Sequence, residues 1–344
     1  MLQKLIVKRF KSIENANLDL KRLNLFVGAN SAGKSSAIQA LMLALDNSEV
    51  GKKEEPCSMV HVRTSSFNEF RSYVLNAKSF EIQLNDAIFD FKSRDDAMMQ
   101  TMVSKTTDAE VASVNLLYLP AMRNADLSRT NINSAPRLNP LGKNGEYVID
   151  YYYTHRTDVL PAELVFDKNL ETLEGQVNYW LNRLTGYSMQ VSMNGSEYQV
   201  YFEDSTHKKL LNPMHVGTGI SFIAELLIVC LAANKDDLIV IENPEIHLHP
   251  SAQAAIMDFL AMVAVNGNSQ IIVESHSDHL FNGIRRLLHD KKLKTEDVSV
   301  YNFKRDGRGI TTAQEVKLSQ TGGIKEYIPG MFDQFDEDLD AILK

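Results

Sequence analysis

The run GANSAGKSS, residues 28–36, constrains the architecture of this chain more than any other stretch. It follows the apolar segment NLFV and precedes IQALMLALD, whose apolar spacing suits a helix packed on a sheet. Gly28, Gly33, Lys34 and Ser35 satisfy the pattern G-x-x-x-x-G-K-[ST], with Ala29, Asn30, Ser31 and Ala32 between the glycines and Ser36 opening the helix. Strand, glycine loop and helix in that order form a phosphate cradle. The glycines let backbone N–H groups turn inward, and the helix presents its positive end. Lys34 can then reach the outer phosphates, while the Ser35 hydroxyl can ligate magnesium.

A second cluster lies two hundred residues further on. LIVIENP has the β-branched and leucine pattern of a buried strand and ends in Glu242, where a carboxylate can hold magnesium, usually through water. QIIVESHSDH predicts the next strand, with Ser275, His276 and Ser277 at its tip; the His276 imidazole is placed to meet a γ-phosphate or an attacking water. Between the two clusters, HVGTGISFIAELLIVCLAAN predicts a long apolar helix introduced by Gly217, Thr218 and Gly219. One chain needs one cradle, so this second anion-friendly helix start suggests service to a neighbouring molecule's nucleotide. The expectation that ties these parts together is that Lys34 and Glu242 converge on one magnesium-bearing triphosphate.

Composition bounds the alternatives. The 344 residues are 44% hydrophobic and 23% charged, enough for one large domain with an insertion or two modest ones. Cys57 and Cys230 are the two cysteines, which offer neither a disulfide framework nor a zinc ligand set, and a reducing cytoplasm fits best. The N-terminus alternates apolar and polar residues, unlike a signal peptide, and the apolar run Phe222 to Ala233 is too short to span a bilayer. A net charge of -8 disfavours broad attraction to nucleic acid and leaves room for a local basic strip.

The segments FKSIENANLDL, GANSAGKSS, VGTGIS, IENPEIHLHP and VESHSDHL stand in the order seen in ABC-type ATPases of the RecF/SMC/OLD kind. The chain most resembles bacterial AAA-labelled ATPases that end in a small C-terminal domain of unknown function, here matched by IKEYIPGMFDQFDEDLDAIL. The resemblance covers about residues 2–50 and 212–344. It implies an α/β P-loop NTPase fold, an ABC-type ATPase head with antiparallel β additions and an inserted mixed region. The corresponding division is 1–125, an ATPase lobe with Walker A; 126–210, an inserted helix and hairpin region; 211–300, a lobe with signature-like segment, Walker B and histidine switch; and 301–344, a small C-terminal segment. ATP and Mg2+ are the implied ligands. Two heads would sandwich two nucleotides, with Thr218 and Gly219 acting in trans, although Ile220 stands where the family has glycine and Ser221 near its glutamine or glutamate.

The resemblance also sharpens one question. The family's water-orienting carboxylate falls at Asn243, and an amide can hydrogen-bond a water without taking its proton, which forgoes general-base assistance typically worth about 10²–10⁴-fold. Two readings stay open: Glu245 acts as substitute base, or the head binds ATP firmly and works as a clamp. Catalytic candidates are therefore Glu242, Asn243, Glu245 and His276; the metal candidates are Ser35 and Glu242. Resembling families often serve bacterial anti-phage systems, which implies a homodimer or higher oligomer, a separately encoded nuclease or toxin as effector, nucleic acid as a further partner, and no membrane. DNA repair and a transporter subunit are the rival assignments.

The rest of the chain carries weaker signals. SFEIQLNDAIFDFKS and YSMQVSMNGSEYQVYFED predict hairpins around Asn85-Asp86 and Asn194-Gly195. The stretch from Asp126 to Pro161 predicts a turn-rich loop with Arg129, Arg137 and Arg156, leading to the helix ETLEGQVNYWLNRL. Arg123, after the strand LLYLPA, is the better candidate for a role near nucleotide. His247 and His249 would share a face of a strand, but no third metal ligand is nearby. IRRLLHDKKLK reads as a basic helix, and FDQFDEDLDAILK as an acidic amphipathic one carrying Phe332, Phe335, Leu339 and Ile342.

Overall fold

The computed structural model describes the chain except residues 63–65, 96–97, 112, 124–126, 128–129, 131, 136–139, 196 and 344, and in 334–337 it describes the backbone only. Arg129 and Arg137, and the side chain of Phe335, lie outside the described residues. The chain folds as two compact units: residues 115–287, and a split unit built from 2–114 together with 288–344.

In the split unit, β1 (Lys4–Phe10) and β2 (Ile13–Asp19) pair antiparallel, with Phe10 opposite Ile13. The second strand therefore starts at Ile13, and Lys11-Ser12 form a tight two-residue turn. Buried Ala16 and Leu18 alternate with exposed Asn17 and Asp19, as a pleated strand with one covered face requires. β3 (Leu23–Gly28) is buried from Leu23 through Val27 and runs into the glycine loop and α1 (Lys34–Asp46). After β4 (Glu55–Pro56), β5 (Ser79–Leu84) and β6 (Ala87–Ser93) form the first predicted hairpin, Leu84 opposite Ala87, and β7 (Thr101–Lys105) extends it. A phenylalanine cluster fills its inner face: Phe80 stacks on Phe91 at 4.7 Å and meets Phe10 edge-on at 5.2 Å.

The 115–287 unit starts with β8 (Leu116–Leu119). Next comes α2 (Val148–His155), inside the stretch expected to be a loop. Its buried residues Val148, Ile149 and Tyr152 lie at helical spacing, but the surrounding turn formers and the run of aromatics hide so short a period. α3 (Leu173–Thr185) begins with the Thr172 hydroxyl accepting from the Gly175 N–H at 3.2 Å and ends on Gly186 at φ 81. β9 (Tyr187–Asn194) and β10 (Glu197–Asp204) form the second hairpin with Asn194 opposite Glu197, so Asn194 closes the strand instead of opening the turn. β11 (Leu210–Leu211) completes that small sheet.

α4 (Thr218–Ala232) is buried from Gly219 through Leu231, as an all-round apolar helix must be. β12 (Leu238–Glu242), α5 (Pro250–Val265), β13 (Gln270–Glu274) and α6 (Asp278–His289) follow. β13, β12 and β8 lie side by side in that order, all parallel, with Glu242 beside Glu274 and Ile241 beside Leu119. Parallel strands buried on both faces explain the unbroken apolar runs. Their carboxyl ends form one edge, the place where open α/β sheets bind ligands.

The chain then returns to the split unit through β14 (Val298–Arg305) and β15 (Thr311–Glu315), and closes on α7 (Gln334–Ile342). There the strand order is β4-β7-β6-β5-β1-β2-β15-β14-β3; β14 runs parallel to β3 with Phe303 beside Gly28. Of the basic cluster, Arg285 and Arg286 lie on α6, whereas Lys291, Lys292 and Lys294 follow its end. Among the described residues, no helix is long and apolar enough to cross a membrane.

Candidate functional site

The glycine loop of the split unit is held from below by strands far away in sequence. Gly28 has φ 140, and a Cβ there would fall 2.2 Å from the Phe303 carbonyl oxygen of β14. Gly33 has φ 107, and its Cβ would fall 2.6 Å from the Thr311 side chain of β15. Both glycines are therefore required by dihedral and by space. The Thr311 hydroxyl bonds the Ala32 carbonyl and the Ser12 hydroxyl, each at 2.8 Å, and so pins the loop's far side. Thr311 carries no motif, and the sequence gives no signal for it. Ala29, Asn30, Ser31 and Ser35 are exposed, Ser36 is half-buried, and Ser31 adopts φ 59. Lys34 is 2% exposed and donates to the carbonyls of Gly28 and Ala29 at 3.0 and 2.9 Å, so its ammonium lies against the loop. No side chain caps α1 and no acidic residue occupies its first turn, which leaves the positive end suited to an anion. The donor set fits a magnesium-bearing triphosphate.

In the 115–287 unit, Glu242, Asn243, Glu245 and His276 come together at the carboxyl ends of β12 and β13. Glu242 accepts the Tyr118 hydroxyl at 3.0 Å on one carboxylate oxygen and the Ala121 N–H at 3.1 Å on the other. Each oxygen keeps a lone pair, so the group remains able to coordinate a cation. Burial, followed by the neighbouring charges of Glu242 and Glu274, pushes the Tyr118 phenol up, keeping it a donor.

Asn243 follows with φ 46, in the left-handed region that asparagine tolerates better than most residues. Its N–H donates to the Glu274 carbonyl at 2.8 Å, while its side-chain Oδ1 is buried with no partner among the described residues. Glu245 turns back to accept the His276 backbone N–H at 2.7 Å on Oε1. The other oxygen, Oε2, is buried without a hydrogen-bond partner among the described residues. His276 is exposed, and its neighbours fix the loop that carries it: Ser275 Oγ accepts the Ser277 N–H, and Ser277 Oγ accepts from His279 and Leu280 at the start of α6.

Arg123 joins this cluster. Its Nη2 donates to the carbonyls of Glu242 (3.2 Å) and Asn243 (2.9 Å), and its guanidinium lies 5.2 Å from the Phe222 ring of α4. Burial draws its pKa down, opposed by Glu225, Glu245 and Glu242 in that order. Glu225, also on α4 and 7% exposed, is pushed up to about 8 by burial, with Arg123 opposing. Its place on a helix of almost unbroken apolar character was the sequence signal for it.

Thr218 is exposed at the start of α4, whereas Gly219 is buried. A Cβ on Gly219 would fall 2.5 Å from the His247 carbonyl oxygen, so close packing within this same unit already demands glycine there. His247 and His249 do not lie on a strand: His247 sits in a turn at φ 61 with its ring 5.9 Å from Phe222, and the His249 ring caps α5 through the Ser251 N–H at 3.3 Å. β12 ends at Glu242, and Asn243 at φ 46 turns the chain out of the strand before either histidine. Among the described residues, no group of three or more His, Cys, Asp or Glu side chains could hold a metal ion.

Comparison with known proteins agrees with the fold. A curated relative from Helicobacter pylori, "ATP/GTP phosphatase", is 22% identical across 90% of this chain and 94% of its own length. An SMC head bound to the C-winged helix domain of ScpA superposes with a TM-score of 0.62 at 13% identity, covering 93% of this chain and 98% of that one. A head with an extended coiled coil, bound to the C-terminal domain of ScpA derived from Pyrococcus furiosus, gives 0.56 at 12% identity over 100% and 99%. The fold is thus that of the SMC head, a P-loop ATPase architecture. Residues 1–111 match a model described as AAA ATPase domain, and 293–342 match one described as a protein of unknown function. Residues 60–282, well over half of the chain, match the model described as "AAA domain, putative AbiEii toxin, Type IV TA system", and the chain belongs to that family.

Proposed function

We propose that this protein binds Mg-ATP and hydrolyses it slowly. The observation that carries the reading is the glycine loop: Gly28 and Gly33 cannot be replaced without collision, and Lys34 lies against the loop between them. Ser35 and Glu242 would hold the magnesium, and His276 would meet the terminal phosphate or the attacking water. Slowness follows from Asn243, which orients water without accepting its proton. The relative named for an ATP/GTP phosphatase supports the same activity.

Equilibrium binding of a fluorescent ATP analogue and phosphate release test this directly. Lys34→Ala should weaken binding by about tenfold or more, as expected for a lost charge-assisted phosphate contact. Glu242→Gln should keep binding in the absence of magnesium and lose the magnesium-dependent gain. A folded wild type indifferent to ATP would end the proposal.

Beyond turnover, the reading is a head that pairs with a second copy around nucleotide, Thr218 and Gly219 reaching the partner's ATP, and controls a separately encoded effector in anti-phage defence. The family's toxin–antitoxin description and the partner-bound SMC heads support it. A second reading, a clamp that binds ATP without turnover and holds its effector by binding energy, is favoured by Asn243 specifically.

A further inference from the structure

The turn after β12 offers a carboxylate, Glu245, two residues past the amide that stands in the base's place, and its geometry points away from proton transfer. We infer that Glu245 is a positioning residue: it holds the His276 loop, and Arg123 steadies it by fixing the same turn through the carbonyls of Glu242 and Asn243. This inference rests on the ATPase reading for its consequence, but not for its geometry.

Three observations build it. A general base must reach the proton it removes, directly or through one water. Glu245 Oε1 is committed to the His276 N–H at 2.7 Å, and Oε2 is turned into the protein where no solvent touches it. Oε1 lies at the surface but is already engaged by that N–H, and Oε2 is the oxygen shut away from water. Second, the turn carrying Glu245 is fixed at its start: Asn243 donates to Glu274 of the neighbouring strand and accepts from Arg123, whose own place is set by Phe222. Arg123 Nε and Nη1 are buried without hydrogen-bond partners among the described residues, and Glu245 is among the charges that act on this guanidinium. Third, Ser275 and Ser277 tie the histidine loop to itself and to α6, while Glu245 links its middle residue to the turn after β12. The result is an exposed imidazole on an anchored backbone. His276 is the group presented outward, and Glu245 decides where it stands.

The test uses the full chain and a substitution that separates the roles, because glutamine can accept an N–H but cannot accept a proton. Amide hydrogen exchange without nucleotide comes first: His276 N–H should be protected in wild type and Glu245→Gln, and exchange freely in Glu245→Ala. Equal protection in Glu245→Ala overturns the hold, whatever ATP does. In phosphate release across pH 6 to 9, a window of roughly this width bracketing neutral operation, Glu245→Gln should keep kcat within about threefold of wild type with an unchanged pH profile. Glu245→Ala should fall to the level of His276→Ala, and the double variant no lower, the non-additivity of two groups acting as one. Loss of about 100-fold or more in Glu245→Gln, with additive losses in the double variant, identifies a base and overturns the assignment. If wild type binds ATP with no measurable turnover, the same cycle is read on ATP affinity, where additivity overturns it. A wild type that binds no ATP removes the ATPase reading while the exchange experiment still decides the hold.

Discussion

Asn243 comes first at the scale of single residues, because its backbone explains part of its presence. At φ 46, with its N–H and carbonyl both engaged, the position asks for a residue that tolerates the left-handed region, and asparagine does so at lower cost than a β-branched or long side chain. Its missing basicity is a functional matter, and it is what makes the proposed turnover slow. Glu225 offers a sharper prediction. Burial holds its carboxyl neutral up to about 8 against an ordinary value of 4.5. Between those values the folded chain keeps a proton that the unfolded chain releases, so this group's contribution to stability is full below about 4.5, falls as pH rises, and is gone above about 8. The drop should be on the order of a few kcal/mol, since each tenfold change in a proton-binding equilibrium is worth about 1.4 kcal/mol. Urea melts of Glu225→Gln against wild type from pH 5 to 9, spanning roughly that window, should show a flatter profile in the variant; parallel profiles would mean that Glu225 is ionised in the fold.

At the level of elements, the small sheet β9-β10-β11 has an edge that the protein guards. Asn178 of α3 acts as a surrogate strand: its Nδ2 donates to the Met189 carbonyl at 3.2 Å, and its Oδ1 accepts the Met189 N–H at 2.6 Å. Arg156, just after α2, donates to the Val191 carbonyl at 3.2 Å while stacking on Tyr153 at 4.3 Å. An open strand edge invites pairing with another chain. Asn178→Ala should cost about 1–3 kcal/mol in a denaturant melt, the penalty of leaving buried-edge groups unpaired, and should raise light scattering on storage. Unchanged stability would show that solvent already satisfies that edge. The hairpins themselves were legible because alternation and turn residues are local causes. α2 was not, because a helix of two turns, rich in aromatics and bordered by turn formers, leaves no period long enough to read.

For the whole molecule, the proposed pairing around nucleotide predicts a mass change. Sedimentation should show a monomer without nucleotide and a species of about twice that mass with Mg-ATP, as a closed two-fold assembly requires. Lys34→Ala should remain monomeric, and Thr218→Arg, placed on an exposed helix start, should bind ATP yet fail to pair. A monomer in every condition would remove the trans role, leaving Gly219 with the packing duty its contact with His247 already gives it. The sequence by itself determined the phosphate cradle, the carboxylate at the strand tip, the apolar helix and both hairpins, since each is specified by residues within a few positions of one another. Only the tertiary structure decided that Thr311 pins the loop, that Arg123 grips the backbone of Glu242 and Asn243, and that Glu245 holds His276. These bonds join groups brought together by the return of distant strands, and no local pattern records where a returning strand will place a single donor.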